Sequence, residues 1–145
     1  MDHIAPPSPL ALALDRVGDR WSLLLVDALL GGQRRFNDLL AALPGLASNV
    51  LSRRLRDLEA AGVVLAKPYS GRPVRYAYEL TESGAALADS LRLLAEWGAS
   101  AGVQGTAQPG ALRHQVCGTP VQTRWWCPTC ERVTEPADTG ELDHV

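Results

Sequence analysis

Glycine and proline cut the first 62 residues of this 145-residue chain into short pieces, at Gly18, Gly31-Gly32, Pro44-Gly45 and Gly62. Each break falls where an apolar pattern of helical period ends. No helix between them can be long, so several short helices must share one core. Pro6, Pro7 and Pro9 close a leader, and PLALALDRVGD follows, with Leu10, Leu14 and Val17 on one stripe and Leu12 off it. Beyond Gly18, Asp19 is placed to N-cap RWSLLLVDALLGG, because its carboxylate can accept backbone N–H groups that have no partner in the first turn. That segment is apolar nearly all round, with Trp21, Leu24, Leu25 and Ala28 on one side and Leu23, Val26 and Leu30 on the other. Such a helix is a buried one.

RRFNDLLAALP reads as a short helix carrying Phe36, Leu39, Leu40 and Leu43. After Pro44-Gly45, Ser48 is a suitable N-cap for NVLSRRLRDLEAAG, whose Leu51, Leu55 and Leu58 fall at i, i+4, i+7. At about 100° per residue, Asn49, Ser52, Arg53 and Arg56 project from the opposite side. Arg54 flanks the apolar stripe, where it can serve the fold by pairing with an acid. Past Gly62 the period changes from helical to alternating. Val63, Val64 and Leu65 lead into a tip, Lys67 to Pro73, and Val74, Tyr76, Tyr78 and Leu80 alternate on the return. Thr81 then caps a last long helix, ESGAALADSLRLLAEWGA, whose Leu87, Leu91, Leu93, Leu94 and Trp97 exceed what one light contact covers. Apolar excess of this kind on a terminal helix marks a subunit interface. Leu10 and Leu14 at the other end complete the expected surface.

The order is helix, helix, short helix, turn, helix, hairpin, helix: mainly α with a small β-hairpin, the pattern of a winged helix-turn-helix. Charge bears on what it does. The chain carries a net charge of −2, but residues 33–75 alone carry +5. A basic middle in an acidic frame is an electrostatic footprint for a polyanion. A solvated charged face is the plainer explanation of such a run. Position decides against it, because the basic residues fall on the outer face of the second helix of the motif, on the hairpin tip and at the start of the short helix. We therefore expect double-stranded DNA to meet Arg34, Arg35, Ser48, Asn49, Ser52, Arg53, Arg56, Lys67, Tyr69, Arg72 and Arg75. A winged helix that binds only protein is the alternative, but it has no reason to load both helix face and wing tip with arginine.

From GDRWSLLLVDALLGG through RYAYELTESG to Trp97-Gly98, about 90 residues in all, the chain resembles the HxlR family of bacterial winged-helix regulators. The likeness rests on Asp19-Arg20-Trp21, on Arg35-Phe36, on Leu51-x-x-Arg54-Leu55-x-x-Leu58-Glu59 and on Tyr76-x-Tyr78-x-Leu80-Thr81-x-x-Gly84, in that order. It implies a homodimer joined through its first and last long helices, with Leu10, Leu14, Leu87, Leu91, Leu94 and Trp97 at the interface. It also implies a two-fold-related operator and control of transcription. Redox-sensing members of that family carry a Cys-Pro just before the first helix, where this chain has Ser8-Pro9. Serine forms neither thiolate nor disulfide, so sensing through that position is in doubt. A regulator gated by a small molecule held between the dimer helices is compatible with the same reading.

The three cysteines, Cys117, Cys127 and Cys130, all lie in HQVCGTPVQTRWWCPTC or its edge, too few and too clustered for a disulfide framework. His114 and Cys117 share the two-residue spacing of Cys127 and Cys130. Two such knuckles supply four N/S ligands, which is the arrangement of a closed structural zinc site. The segment is similar to zinc ribbons in general, although Glu131 stands where a glycine often follows the second pair. Cys127-Pro-Thr-Cys130 also has the spacing of a redox dithiol, but no βαβ context accompanies it. The domain reading is residues 1–98 winged helix with dimerisation, 99–111 linker, 112–137 zinc ribbon and 138–145 tail. No nucleophile elbow, phosphate loop or dinucleotide fingerprint appears, so an enzyme is not expected. No apolar run approaches the ~20 residues of a membrane span. The acidic, proline-rich start is unlike a signal peptide, and the expectation is a cytoplasmic protein working at the nucleoid.

Overall fold

The structure is a computed structural model and describes residues 7–100, 113–138 and 140. Two compact units divide the chain, Met1–Gln104 and Gly105–Val145.

The first unit runs α1 (Pro9–Val17), α2 (Arg20–Leu30), β1 (Arg34–Arg35), α3 (Phe36–Ala42), α4 (Ser48–Ala60), β2 (Val64–Gly71), β3 (Val74–Leu80), α5 (Glu82–Ala85) and α6 (Ala88–Ser100). It is mainly helical, with one antiparallel sheet in the order β1-β3-β2, and is a winged helix-turn-helix. Ser8 Oγ accepts from Ala11 N at 3.1 Å and caps α1, with Pro9 in the first turn where its missing N–H costs nothing. Asp19 caps α2 as expected, accepting from Trp21 N at 3.0 Å and Ser22 N at 3.3 Å. Leu25, Val26 and Leu29 of α2, Leu39 of α3, Leu51, Leu55 and Leu58 of α4, and Val63 and Val64 form one buried cluster.

Four local expectations need correction. Ser48 is the first residue of α4 and not its cap: Leu51 N donates to the carbonyl of Ala47 at 2.9 Å, so Ala47 occupies the cap position, without a side-chain bond. Arg35 stands at the N-cap of α3, but neither Arg34 nor Arg35 is helical. They form β1, paired with Tyr78 and Ala77, because the chain leaving Gly32 passes beside the unpaired edge of β3 and completes a ladder there. The tip is narrower than Lys67–Pro73, since β2 continues through a register irregularity at Pro68–Ser70 to Gly71. Proline has no N–H for a ladder, and a bulge accommodates it. On β3, Tyr78 and Leu80 pack on the core as alternation predicts, but Val74 and Tyr76 are exposed and the fully buried residue is Ala77.

The last long helix is also broken. α5 and α6 are separated by a turn at Ala86-Leu87, where Leu87 N reaches back three residues to Gly84 O at 3.1 Å. Gly84 itself lies so close to the Val63 carbonyl that a Cβ there would stand 2.2 Å from the oxygen. Only glycine allows α5 to pack at that distance. Thr81 caps α5 by accepting from Gly84 N at 3.1 Å.

α6 reaches Ser100, past the expected end at residue 98. Residues 101–111 of the expected linker, and 139 and 141–145 of the expected tail, lie outside the described residues. The second unit holds β4 (Trp125–Cys127) paired antiparallel with β5 (Arg132–Thr134), then a short 3-10 turn, Pro136–Asp138. A β-bridge joins Arg113 to Pro120.

Candidate nucleic-acid interface

The rotation of α4 is set by Leu51, Leu55 and Leu58, which are fully buried. Their burial leaves Ser48, Asn49, Arg53 and Arg56 exposed and Ser52 half-buried on the other side. The Arg53 side chain is 73% exposed, and its Nε lies 4.0 Å from Asp57 Oδ2, a loose pair of little energetic consequence in water. Arg56 Nε donates to Ser52 O at 3.3 Å, and Asn49 Oδ1 accepts from Val50 N at 2.9 Å. Arg54 is turned inward. Its Nη2 donates to Asp19 Oδ2 at 3.0 Å and its Nη1 to Asp57 Oδ2 at 3.5 Å, while its buried Nε has no hydrogen-bond partner among the described residues. The same carboxylate therefore caps α2 and ties α4 to it.

The remaining basic residues divide by environment. Arg72 and Arg75 stand exposed beside the β2–β3 turn. Lys67 is paired with Glu79 across the hairpin. Arg35 stacks its guanidinium 4.5 Å from the centre of the Tyr69 ring, which locks the wing to the start of α3. Asp38 Oδ2 accepts from Arg35 N at 3.1 Å and holds the same corner. Arg34 Nε donates to Ala28 O at 2.8 Å, a contact with the last turn of α2, where carbonyls lack helical partners. The arginine placement on helix and wing was legible in the sequence. The Arg35–Tyr69 stack was not, because no local pattern links residues so far apart. Behind the wing, burial raises the Tyr78 hydroxyl pKa, with Glu59 and then Tyr76 adding to the shift.

Of the residues expected at a subunit interface, Leu87 and Leu91 are half-buried against the core. Leu10 (67%), Leu14, Leu94 and Trp97 (68%) are exposed, as is Leu93. In the second unit, His114 Nδ1 and Cys117 Sγ are 3.3 Å apart, and Thr119 Oγ1 lies 3.3 Å from the same sulfur. Hydrogen bonds pull the Cys117 thiol pKa down to about 7, foremost those from the Thr119 hydroxyl and backbone, then that from His114. The Cys127 thiol is lowered as well, by the Cys130 backbone first and then by its side chain and the Thr129 backbone. Each pair is thus assembled, but no three His, Cys, Asp or Glu side chains converge on one point among the described residues.

With this geometry in place, comparison with known proteins is informative. The family described as HxlR-like helix-turn-helix matches residues 16–105. The HTH-type transcriptional regulator Rv3095 of Mycobacterium tuberculosis is 38% identical over 123 residues, covering 84% of this chain and 77% of its own. YvaP of Bacillus subtilis, another HTH-type transcriptional regulator, is 45% identical over 85 residues, 59% of this chain and 79% of its own. Among solved structures, the transcription factor candidate PA1607 superposes with a TM-score of 0.78 at 31% identity, over 98% of this chain and 99% of that one. The reduced form of the redox regulator HypR gives 0.61 at 34% identity, over 64% and 92%. The chain belongs to the HxlR-like helix-turn-helix family of DNA-binding transcriptional regulators.

Proposed function

We propose that the protein acts as a homodimer on a two-fold-related operator, with α4 in the major groove and the wing beside the phosphate backbone. One observation carries this reading: the α4 face opposite its buried leucines presents Asn49, Arg53 and Arg56 to solvent, and the wing exposes Arg72 and Arg75. Arginine on the helix can read guanine edges, and arginine on the wing can neutralise phosphates. Lys67, already paired with Glu79, and Arg34, bound to the end of α2, contribute less. A second copy is the natural cover for the exposed leucines of α1 and α6 and for Trp97. Two-fold pairing sets the recognition helices about 34–36 Å apart, one turn of DNA. Such a regulator works in the cytoplasm, at the nucleoid.

The test is footprinting on the DNA upstream of its own gene, together with sedimentation. Expected are two protected half-sites one turn apart and a dimer at micromolar concentration. A monomer, or protection without two-fold character, would overturn the dimeric reading.

An open groove of about 400 Å³ beside α1, lined by Leu12, Arg16, Val17, Ala61, Val63 and Leu87 among others, supports gating by a small, mainly apolar effector. Redox gating through the pre-helix position has no such support, because Ser8 is engaged as the α1 cap.

A further inference from the structure

Among its described residues, the second unit has no apolar core to hold it. Of its described residues with a burial assignment, only Cys127 and Thr134 are even half-buried; the others are exposed, Trp125 at 66% and Trp126 at 59% included. A unit of this size needs a cross-link of some other kind, a metal or disulfides. What it contains instead is the same turn built twice. In the first, His114 N donates to Thr119 O at 2.9 Å, Gly118 N donates to His114 O at 2.8 Å, and Arg113 bridges Pro120. In the second, Cys127 pairs with Arg132 and Trp126 with Val133. Superposing His114 on Cys127 brings Cys117 onto Cys130, Gly118 onto Glu131 and Thr119 onto Arg132.

The correspondence extends to the backbone. The residue after each second ligand is left-handed, Gly118 at φ 70° and Glu131 at φ 51°. Glycine reaches that region without strain, but a residue with a Cβ does not. Glu131 therefore holds an unfavourable conformation at the place where the first turn has its glycine. Two ligands of a tetrahedral zinc, with legs near 2.0 and 2.3 Å, stand about 3.5 Å apart. The 3.3 Å between His114 Nδ1 and Cys117 Sγ is close to that separation.

We infer that the two turns are the halves of one tetrahedral site for a divalent zinc ion, held by His114 through Nδ1 and by Cys117, Cys127 and Cys130. The donor set fits zinc: three soft thiolates and one imidazole, with no carboxylate among them. Binding breaks three S–H bonds and releases the protons to solvent, while the neutral imidazole donates its lone pair. Four protein ligands leave no position for water, so the ion is structural. Zinc draws the two turns together and cross-links residues 114–130, supplying the stabilisation that buried side chains do not.

Native mass spectrometry of the full chain, purified with reductant, is expected to show about one zinc per chain. Cobalt substituted for zinc is expected to show the visible bands of a tetrahedral site and a thiolate charge-transfer band. Cys127→Ser should lower the metal content at least tenfold and expose the second unit to protease, while the helical circular dichroism of the winged unit stays unchanged. His114→Ala should keep cobalt with shifted bands, as an oxygen ligand replaces nitrogen, and release it faster to chelator. Reduced wild-type chain without metal would overturn the assignment, as would metal content indifferent to Cys127→Ser. A non-reduced mass two hydrogens lighter, with a Cys127–Cys130 disulfide in place of metal, would assign the pair to redox chemistry instead. These outcomes are read without DNA and do not depend on how the winged unit binds it.

Discussion

The two units of this chain reach a defined shape by opposite routes. In the winged unit, Leu25, Leu39, Leu51, Leu55 and Leu58 are fully buried, and the exposed side chains are arranged by what those leucines do. In the second unit almost every described side chain is exposed, and order resides in two tight turns of matching register. A hydrophobic core tolerates a varied surface, so the winged unit can devote α4 and the wing to recognition. A unit without a core has no such latitude, because the residues that shape its turns are those that hold it together.

Breaking the core is expected to have the largest effect. Leu55→Ala, at a fully buried position of α4, should destabilise the winged unit by about 2–5 kcal/mol through lost transfer energy and the cavity left behind. Denaturant unfolding followed by far-ultraviolet circular dichroism measures this. The zinc content we propose for the second unit should stay at the wild-type level, and a parallel loss there would mean that the units are not separate. Next comes Asp19→Ala. It removes the α2 cap and leaves Arg54 short of its best acceptor, costing about 1–3 kcal/mol in the same measurement.

Binding variants sharpen the comparison by leaving both units folded. Arg53→Ala should keep the wild-type melting temperature yet lose about 1–3 kcal/mol of discrimination between operator and scrambled DNA. Non-specific affinity should change little. Arg72→Ala is expected to have the smallest effect. It should weaken binding to both DNAs alike and flatten the salt dependence of log affinity by ~1 per chain. Titrations at several salt concentrations distinguish the two, and equal losses on both DNAs for Arg53→Ala would remove α4 from base reading.

Much of the recognition unit was legible because its signals are local. The i, i+4, i+7 leucines of α4 determine which side of the helix faces water, whatever the helix packs against, and so place Arg53 and Arg56. Asp19 was legible as a cap for the same reason, since its hydrogen bonds reach only two and three residues ahead. The misplacements share the opposite property. Arg34 and Arg35 became a strand because β3, more than forty residues later, offered them an unpaired edge. The buried residue of β3 is Ala77, which is paired on one side with Arg35 of β1 and on the other with Lys67 of β2, partners that alternation within one strand does not reveal.

By itself, then, the sequence determined the order of the main helices and the hairpin, the inward faces of the helices, the basic stretch between residues 33 and 75, and the paired spacing of His114–Cys117 and Cys127–Cys130. These follow from periodicity, capping and charge, all of which act over a few residues. Tertiary structure alone decided which of the basic residues remain available. Arg54, expected to pair with an acid, found that acid in Asp19; Arg34 was drawn to the end of α2 and Lys67 to Glu79, while Arg53, Arg56, Arg72 and Arg75 kept their exposure to solvent. The physical reason is that a guanidinium or ammonium group pairs with whichever acceptor the fold brings within hydrogen-bond reach, and an acceptor brought there from a distant part of the chain leaves no trace in the local pattern.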